Sequence, residues 1–455
     1  MSFPSEPVLV GGPAAVGDIV IRGARVVDPR SGLDEVRDVL VREGEIAQLA
    51  GAGEGPAAGE EVDASGLVLT PAFVDPHVHL RVPGQEHKEE LETGTRAAAA
   101  GGFSAVLAMP NTDPVIDSGS ILGALREGAR REARIPVGFL GAITVGQRGE
   151  GLTAMGEMRE LGAAGFTDDG LPVTSAGVLR RALQYQKMVG GVLALHEEDP
   201  SLSGGGVMHE GRVSAELGVA GIPSASESSM IARDALIAGY EGGAIHAQHL
   251  SSADSVRVVG EAKAAGIAIT CEASPHHLCF TDEDVRSLDT RMKMNPPLRT
   301  DGDRKALIEG LRSGTIDCIA TDHAPHAPHE KEVPFEQAPM GTTGLESAFA
   351  ACYDELVVPG LIGFGTLIER MNAGAAIFGL PTPVIAPGAP ADLALIDLDR
   401  EWTVGADGYE SRSDNCAFGG RRLTGRVVMT IVGGAVAYRD RSFALSAAPD
   451  PGLKA

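Results

Sequence analysis

The chain has 455 residues, 43% hydrophobic and 22% charged, enough for a large buried core and too long for one small domain. Its 38 Lys and Arg against 62 Asp and Glu leave a formal charge of −24. That balance argues against nucleic acid and against an anionic membrane surface as a main partner, and no apolar run is long enough to span a bilayer.

In chain order, the opening MSFPSEPVLVGGPAAVGD carries an acidic residue and no basic stretch, so it is not expected to be a secretory leader. DIVIRGARVV and VRDVLVREGEIAQLA then flank the turn-forming DPRSG, with β-branched and polar residues alternating as in half-buried strands. The same alternation returns at the far end in ADLALIDLD, EWTV and GRVVMTIVGGAVAYRD. One small β-domain built from both ends of the chain is the simplest reading.

Between the ends the rhythm changes. Eight short apolar segments recur: PAFVDPHVH, SAVLAMPN, PVGFLGAI, GFTDD, GVLALHEE, AIHAQHLSS, AITCEASPHH and TIDCIATDH. Stretches such as EELETGTRAAAAGG and SSADSVRVVGEAKAAG separate them and have helical spacing. Eight β/α units suit a TIM-type (β/α)8 barrel, with a doubly wound open sheet as the competing layout. The five cysteines (Cys271, Cys279, Cys318, Cys352, Cys416) form no CxxC. They read as reduced thiols of a cytoplasmic protein, not as a zinc site.

Polar residues gather at the ends of these strands: His77 and His79, Asn111, Asp168 and Asp169, His196, His249 and Asp322. In a barrel those ends share one face, where active sites form. His77 and His79 are two apart, so in an extended strand both imidazoles point to one side and can grip one cation. An HxH alone is often no more than two histidines near a turn. With His196, His249 and Asp322 at later strand ends, the set suits Zn²⁺ or a similar cation. His87, His209 and His329 lie in polar stretches and are expected to be solvated. His246 and His323 are expected to point away from the cluster, and His276 and His277 to support the pocket mouth.

DPHVHLR, AMPNTDPVID, FTDDG, ALHEED, HAQHLSS, EASPHHL, MNPPLR and ATDHAPH occur in this order. Together they resemble the amidohydrolase superfamily and, within it, the class I dihydroorotases. The resemblance implies a TIM barrel over residues 71–380 and a β-sandwich from residues 1–70 and 381–455. Related hydantoinases and dihydropyrimidinases bridge two metals with a carboxylated lysine, but no lysine lies between Lys88 and Lys187. The family's alternative is a bridging aspartate, matched here by Asp169, with Asp168 closer to a structural turn residue. The resemblance implies that His77, His79, Asp169 and Asp322 hold one zinc, and Asp169, His196 and His249 another, giving one or two Zn²⁺ per chain.

The implied reaction interconverts N-carbamoyl-L-aspartate and (S)-dihydroorotate plus water, with Asp322 as general base and acid. An acidic protein that takes an acidic substrate needs local donors, and the guanidinium fork of Arg81 matches a carboxylate. In the family pattern Arg81, Asn111 and His326 hold that carboxylate. His79 also borders the substrate, while Asn295 and the main chain of Met340 and Gly341 contact the ring. The Pro-rich segment 323–339 is hard to make helical and is expected to be a loop that closes over the site. The expected partner is a small-molecule substrate, with no nucleic acid and no membrane. Self-association into a homo-oligomer and association with aspartate transcarbamoylase are further expectations. The rivals are another cyclic-amide hydrolase and a catalytically dead scaffold; the missing lysine opposes the first and the filled ligand positions oppose the second.

Overall fold

The computed structural model describes residues 7–14 and 17–443. Residues 1–6 and 15–16 of the opening segment, and residues 444–455 at the end of the C-terminal range, lie outside the described residues. Among the described residues no helix is long and apolar enough to cross a membrane.

Both ends of the chain build one sheet. From the first end come β1 (Ile19–Asp28), β2 (Leu33–Arg42), β3 (Glu45–Gly51), β4 (Glu60–Asp63) and β5 (Val68–Pro71). The β1–β2 hairpin turns through Gly32, whose φ of 70° suits a residue without Cβ. The middle of the chain supplies β6 (Phe73–Val78), β7 (Phe103–Ala108), β8 (Val137–Phe139), β9 (Gly165–Thr167), β10 (Val192–Leu195), β11 (Met208–His209), β12 (Gly221–Ile222), β13 (Ile245–Ala247), β14 (Ile269–Ala273) and β15 (Cys318–Ile319). Then β16 (Leu393–Thr403), β17 (Arg422–Val432) and β18 (Ala435–Arg439) return to the first sheet. Its order is β18-β17-β16-β5-β1-β2-β3, with β4 beside β1. The seam is antiparallel, Leu393 facing Pro71 and Leu395 facing Leu69. Inward positions such as Ile21, Val39, Leu69, Leu393 and Met429 form its own core, as strand alternation predicts.

The eight apolar segments of the middle become β6, β7, β8, β9, β10, β13, β14 and β15. They pair in parallel as β6-β7-β8 and as β9-β10-β13-β14-β15. Isolated parallel bridges join the two groups at both edges, Gly141 to Phe166 and Val78 to His323. Pairing therefore runs from β6 through β15 and back to β6. A helix follows each strand, from Leu91–Ala100 after β6 to Phe364–Ile377 after β15, and the architecture is α/β.

All six residues of β6 and of β7 are buried, which explains why they read as near-continuous apolar runs. Under the terminal sheet, Phe73 stacks on Phe349 at 5.6 Å and meets Phe103 edge-on at 5.8 Å. Each such ring contributes roughly 1.5–3 kcal/mol by leaving water. Val10 lies elsewhere than with the strands of the first sheet. Its N–H donates to Val137 O at 3.0 Å and its carbonyl accepts from Val137 N at 2.8 Å. This apolar stretch extends the β8 edge and fills a gap in the core of the parallel strands.

Candidate active site

The strand ends of the parallel set converge on one cavity of about 290 Å³. Arg81, His249 and Asp322 have φ of 61°, 32° and 48°, a left-handed conformation that L residues rarely adopt. Such strain is held only where surrounding contacts over-determine it, and here it turns three side chains into one cavity.

Asp169 sits at the centre. Its Oδ1 lies 3.5 Å from His77 Nε2, 3.6 Å from His249 Nε2 and 3.8 Å from His196 Nδ1. Its Oδ2 lies 3.4 Å from His79 Nε2. Asp322 Oδ1 is 3.1 Å from His79 Nε2 and 3.5 Å from His77 Nε2, and His196 Nδ1 is 3.0 Å from His249 Nε2. Ligands about 2.1 Å from a shared tetrahedral centre stand about 3.4 Å apart. The 3.4–3.6 Å separations around Asp169 and His77 match that geometry better than they match good hydrogen bonds, while the 3.0 and 3.1 Å contacts of His196 with His249 and of His79 with Asp322 are hydrogen-bond distances. His77 Nε2 and Asp169 Oδ1 are fully buried with no hydrogen-bond partner, a costly arrangement unless something else satisfies them. Two groups able to hold a metal ion follow, His77 with His79 and Asp322, and His77 with Asp169 and His249.

The electrostatics ask for positive charge. Burial pulls the His77 imidazole down, but Asp169 and Glu272 outweigh it and hold the ring well above its usual value. Burial pushes Asp169 up, but His77 and His249 outweigh it and hold the carboxyl well below the usual range. Both shifts show that the buried cluster favours positive charge beside Asp169.

Several of these candidate ligands are steered from behind. His77 Nδ1–H donates to Glu272 Oε1 at 2.6 Å, and His79 Nδ1–H to Asn111 Oδ1 at 2.8 Å. On the outer side of His196, Nε2 lies 3.4 Å from Glu198 Oε2, which also accepts from Asn295 Nδ2 at 2.6 Å. Glu272 and Glu198 escaped the sequence reading. The available signal was a carboxylate inside an apolar strand, AITCEA, which must find partners if buried. Asp168 faces elsewhere: its Oδ1 accepts from Ile143 N and Thr144 N at 2.9 and 3.0 Å, and the Thr144 hydroxyl donates to Oδ2.

Of the residues expected in the site, all but His77 line the cavity, which Gly170 and Ala324 complete. His77 lies beneath it, fully buried. Arg81 donates through Nε to Pro325 O at 3.1 Å, which leaves its two terminal nitrogens for the cavity. Burial lowers its guanidinium to about 10, so it stays charged at neutral pH. Asn111 uses its oxygen on His79, so its amide nitrogen remains for a ligand. His326 Nε2 donates to Met340 O at 2.8 Å, and Gly341 N donates to Lys293 O at 2.8 Å. The main chain expected to meet the ring is thus already partly engaged, with one lone pair of the Met340 carbonyl left over.

Other histidines sort by contact. His246 points away from the cluster to Glu272 Oε2 at 3.0 Å and Thr270 Oγ1 at 2.8 Å. With Glu272 and Cys318 it forms a third group of metal-capable side chains, but both its ring nitrogens have these partners. His323 faces Gly344 N and Glu89. His276 and His277 are buried around Ser274, and His277 reaches Pro296 O at 2.9 Å beside Asn295. His87 and His329 are exposed. His209 is not: it is 8% exposed, its Nδ1 accepting from Arg299 Nη1 at 3.2 Å. The polar stretch around it folds back against Arg299, whose buried charge needs acceptors. The segment 323–339 also differs from expectation. It contains the helical turn Pro328–Lys331, which Pro at the first position favours. Lys293 Nζ pins it by donating to Phe335 O, Glu336 O and Ala338 O at 2.8, 3.0 and 2.7 Å.

A family model described as dihydro-orotase-like matches residues 66–255. A dihydroorotase of Pelotomaculum thermopropionicum is 47% identical over 424 residues, covering 93% of this chain and 99% of that protein. One of Geobacter metallireducens is 45% identical over 423 residues, covering 93% and 100%. Among solved structures, the L-hydantoinase (dihydropyrimidinase) of Arthrobacter aurescens superposes with a TM-score of 0.83 at 25% identity, covering 92% of this chain and 96% of its own. The dihydropyrimidinase of Brevibacillus agri shares the fold with a TM-score of 0.81 at 23% identity, covering 94% and 96%. With that identity held over nearly the full length of its relatives, the chain belongs to the dihydroorotases, cyclic amide hydrolases that interconvert N-carbamoyl-L-aspartate and (S)-dihydroorotate.

Proposed function

We propose that the cluster holds one or two Zn²⁺ ions, with His77, His79, Asp169 and Asp322 around one and Asp169, His196 and His249 around the other. The carrying observation is the buried pair His77 Nε2 and Asp169 Oδ1, which has no hydrogen-bond partner. Imidazole and carboxylate donors suit zinc. Such ions supply Lewis acidity and make a water nucleophilic near neutral pH.

The chain's own residues do the rest. Arg81 offers two N–H groups to the substrate carboxylate, and Asn111 Nδ2 adds a third donor beside it. His326 packs against that end with its ring neutral, because burial and the Arg81 charge hold it down to about 2. Asn295 and the Met340 carbonyl border the opposite side of the cavity. Asp322 accepts the proton of the attacking water as the new C–O bond forms, then delivers it to the ring nitrogen as the C–N bond breaks. Ring closure runs the same transfers backward.

The closed run of parallel pairings supports a TIM-type (β/α)8 barrel over residues 71–380; the terminal sheet supports a β-sandwich from the ranges 1–70 and 381–455, apart from the stretch around Val10, which pairs with β8. Leu236 and Tyr240, 72% and 79% exposed, line one shallow apolar groove with Ala176 and Ile237, which supports a homo-oligomer. We place the enzyme in the cytoplasm on its reduced cysteines, and its association with aspartate transcarbamoylase remains part of the proposal. Metal analysis of the purified protein coupled to a dihydroorotase assay tests the assignment. Activity that follows bound zinc supports it, and full activity without metal overturns it.

A further inference from the structure

We infer that Glu272 is a positioning residue that fixes the tautomer of His77 and thereby sets the metal affinity of the cluster. This rests on the metal assignment proposed above and deepens it.

Glu272 lies on β14 and is 1% exposed. Its Oε1 accepts from His77 Nδ1–H at 2.6 Å and from the main-chain N–H of His249 at 3.2 Å. Its Oε2 accepts from His246 Nε2–H at 3.0 Å, and the other nitrogen of His246 meets Thr270 Oγ1 at 2.8 Å. One carboxylate thus ties β6, β13 and β14 together directly below the cluster. Both oxygens are aimed by these contacts, so the side chain has little freedom to turn away.

An imidazole that coordinates a metal is neutral and carries one N–H. An ionised carboxylate only accepts, so the contact to Glu272 requires that hydrogen on Nδ1. Nε2 must then present its lone pair, and Nε2 is the atom facing Asp169 and Asp322. Gln248 Nε2 also lies 3.3 Å from His77 Nδ1 and could impose the opposite tautomer by donating there. The Glu272 contact is much the shorter, and the Gln248 amide has another acceptor in Met109 Sδ at 3.4 Å. The other ligands are held less firmly. His79 leans on the neutral Asn111, His196 meets Glu198 at 3.4 Å, and His249 Nδ1 has no partner among the described residues. A buried carboxylate behind a ligand histidine also raises the basicity of the coordinating nitrogen.

The test compares wild type with Glu272→Gln, which keeps an acceptor but loses the charge, and Glu272→Ala, which loses both. Metal-free proteins are titrated with zinc against a chromophoric chelator. The expected affinity loss is about 10–100-fold for Glu272→Ala, with Glu272→Gln between. At saturating zinc the KM for dihydroorotate stays at the wild-type value, because Glu272 touches no substrate. Independently of affinity, ¹H–¹⁵N NMR of the zinc-loaded wild type should show a far-downfield His77 Nδ1–H proton, the signature of a short hydrogen bond to a carboxylate, and Glu272→Ala should lose that signal. If Glu272→Ala does not fold, the Glu272→Gln titration and spectrum decide. Folded variants that bind zinc as tightly as wild type overturn the inference while leaving the metal assignment intact. A wild type that binds no zinc overturns both.

Discussion

His77 Nε2 and Asp169 Oδ1 face each other across 3.5 Å at the ends of β6 and β9, both buried and both without a hydrogen-bond partner. A fold leaves two such atoms without a hydrogen bond only at a cost of about 1–3 kcal/mol each. A ligand that satisfies both stabilises the native state by mass action. Removing metal should therefore do more than stop catalysis. Calorimetry of chelator-treated protein is expected to show a lower thermal midpoint, restored by added zinc. An unchanged midpoint with and without tightly held metal would speak against this arrangement.

The neighbouring aspartates should fail in different ways. Asp169→Ala removes the residue that touches four histidines, so metal content and activity should fall together. Asp168→Ala leaves the N–H groups of Ile143 and Thr144 without their acceptor, which should lower stability by about 1–3 kcal/mol while the metal is kept. Denaturant unfolding and metal analysis on both variants separate the outcomes. Equal metal loss from the two would show the pair wrongly assigned.

Arg81→Met keeps the length of the side chain but removes the fork. Truncating one partner of a buried charge pair costs about 2–5 kcal/mol, so the KM for dihydroorotate should rise by roughly 30-fold or more. Discrimination against dihydrouracil, which lacks the carboxylate, should fall. Asp322→Asn should instead depress kcat, since it removes proton transfer rather than substrate binding. Metal content must be followed alongside. Steady-state kinetics on both substrates check the pair of expectations.

His209 makes stability depend on pH. Burial, then the charge of Arg299, lowers its imidazole from 6.5 to about 4. Between those values the unfolded chain binds the proton that the native state refuses, so stability rises with pH across this window. His209's contribution is fully present above pH 6.5 and is lost as pH falls toward 4, amounting to about 3 kcal/mol at most. His209→Asn keeps an acceptor for Arg299 and removes the titration. Urea unfolding of both proteins from pH 7 to pH 4 should show a shallower fall in the variant. Parallel curves would refute the assignment.

The strands and the convergence of the candidate site residues were legible for one reason: those residues sit at strand ends. His77 and His79 show period-two spacing, and each later candidate ligand closes an apolar run, so a local pattern reports a long-range convergence. What stayed hidden depends on partners far away in sequence. Glu272 looks like an interruption in a core strand until His77, 195 positions earlier, supplies its hydrogen bond. His209 sits in a polar stretch that only Arg299 draws inward. The stretch around Val10 falls in the 1–70 range expected for the terminal β-domain, but its main chain pairs with Val137 of β8. The helical turn at Pro328–Lys331 was masked by its prolines, although proline is at home in the first position of a helix.

The most direct test is turnover of (S)-dihydroorotate by metal-analysed protein, in both directions, beside hydantoin, dihydrouracil and allantoin. Dihydroorotate and N-carbamoyl-L-aspartate should interconvert at a rate proportional to bound metal, with the three other amides far poorer substrates. Equal turnover of the uncharged rings, or full activity in rigorously metal-free protein, would contradict a site built from Arg81 and the Asp169-centred cluster.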